Sequence, residues 1–179
     1  MIIFAGIAYP FVVYLGLNTI SANILVLGVI AFMGLRLYLL RNATRQRVIP
    51  VWPAAFALLA VFLVSLFESE IAVKLYPVII SLTLSAAFTL SLFHAPSLIE
   101  SFARIMEPDL PESGVRYTWY VSLVWAAYLA INAGIAAWTV FYGTTEQWTL
   151  FNGFISYLMT ATLFAGEYVF RKYYRAKLK

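Results

Sequence analysis

Chemistry in an apolar chain sits where ionisable groups meet apolar sequence, and here those positions are Arg36, Lys74 and Glu167. A charge inside hydrocarbon is costly, so by default it marks a binding site or an ion path. Spacing offers a second reading. Glu70 precedes Lys74 by four residues and Glu167 precedes Arg171 by four, the order in which a helical ion pair is favourable. Arg36 lies about one turn from a basic end, within reach of headgroups through its long stem. No Asp, Glu, Lys, Arg or His falls near the middle of an apolar run, so a proton relay through a bilayer lacks its usual titrating group.

Neutral polar residues recur at helical spacing. Ser81, Ser85 and Thr89 share one face below Lys74 and Tyr76; Trp125, Tyr128 and Asn132 share another; Asn152, Ser156, Thr160 and Glu167 share a third. Lys74, Tyr76, Ser81, Ser85, Asn132, Asn152, Ser156 and Glu167 are therefore candidates for lining a polar cleft that takes a lipid headgroup or polar substrate. The competing reading is that such residues form the interhelical hydrogen bonds of a bundle.

His94 is the only histidine, with no cysteine and no HExxH pattern beside it, so a metal site lacks ligands. No metal or other cofactor is implied, and no catalytic residue is assigned. Glu107, Asp109 and Glu112 lie near Arg104. Together they suit either Mg²⁺-assisted phosphoryl chemistry or ion pairs with the basic C-terminal stretch or with Arg41, Arg45 and Arg47. His94, Arg104, Glu107, Asp109 and Glu112 form a candidate surface for a partner protein.

The elements that must position these groups follow from composition. Of 179 residues, 63% are hydrophobic and 11% charged, with mean hydropathy +0.87, far from the roughly one-quarter charged content of soluble domains. At about 20 apolar residues per span, the chain accommodates an all-α, six-helix transmembrane bundle. The spans fall at about 1–17, 22–40, 51–67, 71–93, 117–142 and 149–170. A short amphipathic interfacial helix at about 97–106 joins the fourth and fifth. The first seventeen residues carry no Lys or Arg, unlike the basic start of a signal peptide, so they read as a retained span.

Local signals refine this picture. Tyr9-Pro10 and Tyr76-Pro77 predict kinks, while Gly28 and Gly34 suit close helix approach. Trp52 suits an interface anchor and Pro53 a first helical turn. Ser97-Leu98-Ile99-Glu100 reads as a capping box. Leu98, Phe102, Ile105 and Met106 give the following helix an apolar stripe suited to a bilayer surface, and Pro108 ends it. Ala126, Ala130 and Gly134 suggest a small-residue packing ridge; Trp119, Tyr120, Trp138 and Tyr142 suggest interface belts.

The net charge of +4 does not point to nucleic acid, because the basic residues flank apolar spans, where they set orientation and meet anionic headgroups. Of the twelve lysines and arginines, only Lys74 falls on the side opposite the rest. That bias and the even span number put both termini in the cytoplasm. Ala8 to Val13 and Leu75 to Ile80 share a Tyr-Pro core, a short match of the kind an inverted repeat produces. Membrane lipids are the expected contacts, and a homo-oligomer is compatible with the chain.

Several motifs taken together resemble a known family. Lys74-Leu75-Tyr76-Pro77, Pro96-Ser97-Leu98-Ile99-Glu100, Glu107-Pro108-Asp109-Leu110-Pro111, Val115-Arg116-Tyr117-Thr118 and the stretch from Trp148 to Arg171 resemble an uncharacterised family of bacterial inner-membrane proteins. Its members are encoded among fatty-acid-synthase-like genes for aryl polyene or xanthomonadin-type pigments. The resemblance covers roughly residues 70 to 171. It departs where Trp119-Tyr120 stand in place of a basic pair, so no role of that pair carries over. More distantly, the span pattern is similar to the septation protein A family. These resemblances imply a setting in envelope or polyene-lipid biosynthesis. With the distinctive motifs clustered on the cytoplasmic face and the bilayer centre apolar, the expectation is a non-enzymatic accessory or scaffold protein working with proteins of that machinery. The polar faces and the repeated Tyr-Pro leave a small transporter or flippase as the alternative, and His94 with its nearby carboxylates leaves a lipid- or acyl-modifying enzyme as a third.

Overall fold

The computed structural model describes residues 10–16, 21, 24–25, 27–28, 30–31, 34–35, 59–60, 62–63 and 69–177. The readings placed on Tyr9, Arg36, Trp52, Pro53 and the 41–50 loop lie outside the described residues. So does most of the proposed second and third spans.

Among the described residues the chain is all-helical, with no strand. Residues 10–16 are helical. The described residues at 24–25, 27–28, 30–31, 34–35, 59–60 and 62–63 are helical too. From residue 69 on the described residues form α1 (Ser69–Leu92), α2 (Leu98–Met106), α3 (Glu112–Phe141), α4 (Thr145–Leu150) and α5 (Ser156–Lys177), with a π-helical turn, Phe151–Ile155, joining the last two. Among the described residues two stretches, Glu70–Leu92 and Glu112–Phe141, are long and apolar enough to cross a membrane. In its second half α5 carries Glu167, Arg171, Lys172, Arg175 and Lys177, too many charges to meet the same description.

α1 runs unbroken through Pro77 and packs chiefly against α3. The buried face of α3 holds Thr118, Ser122, Trp125, Ala126, Asn132, Ala133, Ala136 and Thr139. Of the expected ridge only Ala126 is buried; Ala130 and Gly134 face outward. Small residues are so frequent in this helix that spacing alone permits two phases. The phase adopted is the one that also buries Ser122, Asn132 and Thr139, whose polar groups find partners there. Gly28 and Gly34 have no described neighbour within 4 Å of a Cβ added to them.

α2 follows a cis Ala95–Pro96 peptide. Its first four free N–H groups are all satisfied. Glu100 Oε2 accepts from Ser97 N at 3.3 Å, Ser91 Oγ from Leu98 N at 3.1 Å, Ser122 Oγ from Ile99 N at 3.3 Å, and Ser97 Oγ from Glu100 N at 3.4 Å. The capping box thus docks α2 onto α1 and α3 as well as starting the helix. Glu100, 5% exposed, is held there and pairs with Arg104 at 2.8 Å. Phe102, Ile105 and Met106 are exposed, and Phe102 and Met106 line the cavity described below.

At the other end of α1, Trp148 is fully buried with Val13, Ala72 and Val73, and its indole N–H donates to the Lys74 carbonyl at 3.0 Å. A capping box of Thr144 and Gln147 starts α4. The Glu146 carboxyl beside it sits below the usual carboxylate range, chiefly through its hydrogen bond with the Thr144 side chain.

The turn before α4 has no room for a side chain at Gly143. A Cβ there stands 2.8 Å from the Thr139 carbonyl oxygen and 3.1 Å from its Cα, and neither backbone atom can swing aside. Gly143→Ala is expected to destabilise the protein by about 1–3 kcal/mol, read as a lower unfolding midpoint in mild detergent.

Candidate functional site

α1, α2, α3, the π-turn and α5 line a partly open cavity of about 1210 Å³, larger than the roughly 300–1,000 Å³ of sites for drug-sized ligands. It has three zones.

The first is polar and lies near the middle of α1. Asn132 of α3 donates through Nδ2 to Ser81 Oγ at 3.2 Å, and its Oδ1 accepts from Ser156 Oγ of α5 at 2.9 Å. Tyr128 bonds Thr160 Oγ1 at 2.6 Å and donates to the Ser156 carbonyl at 3.0 Å. One asparagine thus ties three helices. The π-turn contributes Asn152, which donates to the Trp148 carbonyl at 2.9 Å and to Thr139 Oγ1 at 3.4 Å. Such turns re-aim side chains and recur at functional sites. Gly153 in this turn lets the Phe11 ring approach to 2.9 Å from where a Cβ would stand.

The second zone is an aromatic waist. Trp125 meets Phe164 at 4.5 Å between ring centroids, Tyr128 at 5.8 Å and Phe88 at 6.3 Å. The third is charged. Tyr117 donates to Glu167 Oε1 at 3.0 Å, Arg171 Nε stands 3.6 Å from the same oxygen, and Arg175 Nη2 pairs with Glu107 Oε2 at 2.7 Å. Tyr117 also stacks on Tyr174 at 5.1 Å and Phe170 at 6.2 Å.

Of the polar candidates read from the sequence, Tyr76, Ser81, Asn132, Asn152, Ser156 and Glu167 all line this cavity. Lys74 and Ser85 are not among its lining residues. Lys74 donates to Glu70 at 2.7 Å and Thr145 at 3.2 Å, while buried Ser85 donates to the Ala126 carbonyl at 2.8 Å and ties α1 to α3. Thr89, grouped with Ser81 and Ser85, is exposed, and Thr83 is buried instead.

The partner-surface candidates are spread out. Only Glu107 lines the cavity. Arg104 is bound to Glu100 and to the Pro108 carbonyl at 3.0 Å. His94 is exposed, with Nδ1 3.2 Å from the Leu90 carbonyl. Asp109 and Glu112 are exposed. Among the described residues no trio of carboxylates or histidines is placed to hold a metal ion.

The sequence reading did not single out Tyr157, Phe164, Arg171 or Arg175 as cavity residues. The available signal was the continuation of one face through Thr160, Phe164, Glu167, Arg171 and Arg175, at helical spacing past the end of the apolar run. No family model, curated protein or solved structure matches the chain.

Proposed function

We propose that this chain is a multi-pass protein of the bacterial inner membrane, a six-helix bundle with both termini in the cytoplasm. In this reading it is a non-enzymatic accessory protein that holds an amphiphile for cell-envelope or polyene-lipid biosynthesis. The observation that carries it is the cavity, in which an aromatic waist lies between a charged end and a middle whose polar groups are hydrogen-bonded to one another, a lining that takes a charged head at one end and an apolar body against the waist. The rim around Glu107, Asp109 and Glu112 is the surface available to biosynthetic proteins.

The test is extraction in mild detergent followed by native mass spectrometry. The expected result is about one amphiphile retained per chain, selected out of proportion to the bulk membrane. Adducts that merely mirror bulk lipid composition overturn the reading.

One observation favours a transporter or flippase as the second reading: Pro10 and Pro77, the prolines of the repeated Tyr-Pro pair, both line the cavity. In reconstituted vesicles that reading expects leaflet-to-leaflet movement of a labelled amphiphile, slowed by Pro77→Ala. No movement by the wild-type protein removes it.

A further inference from the structure

Resting on the cavity reading above, we infer that Arg171 and Arg175 form a subsite for the oxyanion head of a linear amphiphile, with Glu107 occupying Arg175 as an internal competitor. Both arginines and Glu107 line the charged end of the cavity. The Glu107–Arg175 pair is short, at 2.7 Å, but its side chains are 46% and 63% exposed. Such a pair is weak and readily exchanged. Arg171 is only loosely held, its Nε being 3.6 Å from Glu167 Oε1, an oxygen that already accepts from Tyr117. Two guanidinium forks therefore stand at the mouth with donors to spare, and the fork geometry matches a carboxylate or phosphate.

Charge and length agree with this assignment. Glu107 and Glu167 balance Arg171 and Arg175 at the mouth. An anionic head that displaces Glu107 into solvent preserves that balance, whereas a cationic or neutral head does not replace what Arg175 loses. Below the mouth, the cavity-lining face of α5 runs from Arg171 to Ser156, about 22 Å at 1.5 Å per residue. The aromatic waist of Phe88, Trp125 and Phe164 lies along it. That path suits an extended chain with one terminal oxyanion, either a carboxylate or a phosphate monoester.

Trp125 in the waist supplies the readout. Brominated octadecanoic acid, the corresponding lysophosphatidic acid and the uncharged methyl ester are titrated into the detergent-solubilised full chain at mildly alkaline pH. The signal is the fluorescence quenching that disappears in Trp125→Phe. The expected result is tighter binding of the two anions than of the ester. Arg175→Gln weakens the anions about tenfold and leaves the ester unchanged, and Glu107→Gln tightens the anions. Sensitivity of both anions to Arg175→Gln identifies any oxyanion head as sufficient, while sensitivity of the lysophosphatidic acid alone identifies phosphate. Equal binding of acid and ester, unmoved by either substitution, overturns the subsite. Absence of Trp125-dependent quenching by all three probes overturns the cavity reading itself.

Discussion

Trp148→Ala is expected to lower the stability of the detergent-solubilised protein by about 3–5 kcal/mol, the largest loss from any single substitution considered. The indole is fully buried among Val13, Ala72 and Val73, so truncation empties a volume that two other chain segments define. It also removes the bond from the indole N–H to the Lys74 carbonyl at 3.0 Å. Trp148→Phe helps to separate the two contributions: it keeps a ring in the site while removing the hydrogen bond and part of the volume, for a smaller loss of about 1–2 kcal/mol. Equilibrium unfolding monitored by circular dichroism measures both. Equal losses from the two variants contradict the packing argument.

The second large effect falls on Asn132. Asn132→Leu keeps the volume but removes both bridges, to Ser81 at 3.2 Å and from Ser156 at 2.9 Å, with an expected loss of about 1–2 kcal/mol. Two considerations bound that figure. Hydrogen bonds between membrane helices average about 0.6 kcal/mol, with a maximum near 1.7. The serines left behind can turn back to carbonyls of their own helices, which caps the penalty. A double-mutant cycle isolates the bridge: Asn132→Leu and Ser156→Ala are expected to be non-additive by about 0.5–1 kcal/mol. Strict additivity contradicts the three-helix tie.

The sequence carried much of the helical framework because apolar run length and capping chemistry are local. The expected 71–93 and 97–106 segments correspond to Ser69–Leu92 and Leu98–Met106, and the Ser97–Glu100 capping box is present. Ends marked by charge were harder to place. α3 begins at Glu112 rather than near residue 117, because a polar first turn after Pro111 resembles a loop while Glu112 in fact suits a helix N-terminus. α5 continues to Lys177, since charged residues end an apolar run without ending a helix.

Local spacing also found the Glu70–Lys74 and Glu167–Arg171 pairs, now at 2.7 and 3.6 Å. It did not give the Trp148 bond to Lys74, which joins residues 74 apart in sequence. The polar faces of α1, α3 and α5 were visible one helix at a time. Their convergence on Asn132 depends on helix rotation and depth, which periodicity leaves open, and the same ambiguity put the α3 packing ridge in the wrong phase.

The most direct test of the account is photocrosslinking with a fatty acid carrying a photoreactive group along its chain, followed by peptide mapping. If the cavity holds the amphiphile, adducts fall on lining residues such as Phe88, Trp125, Tyr157 and Phe164 and are competed by excess unlabelled acid. Adducts confined to the outward residues Val124, Ile131 and Leu158, insensitive to competition, contradict it.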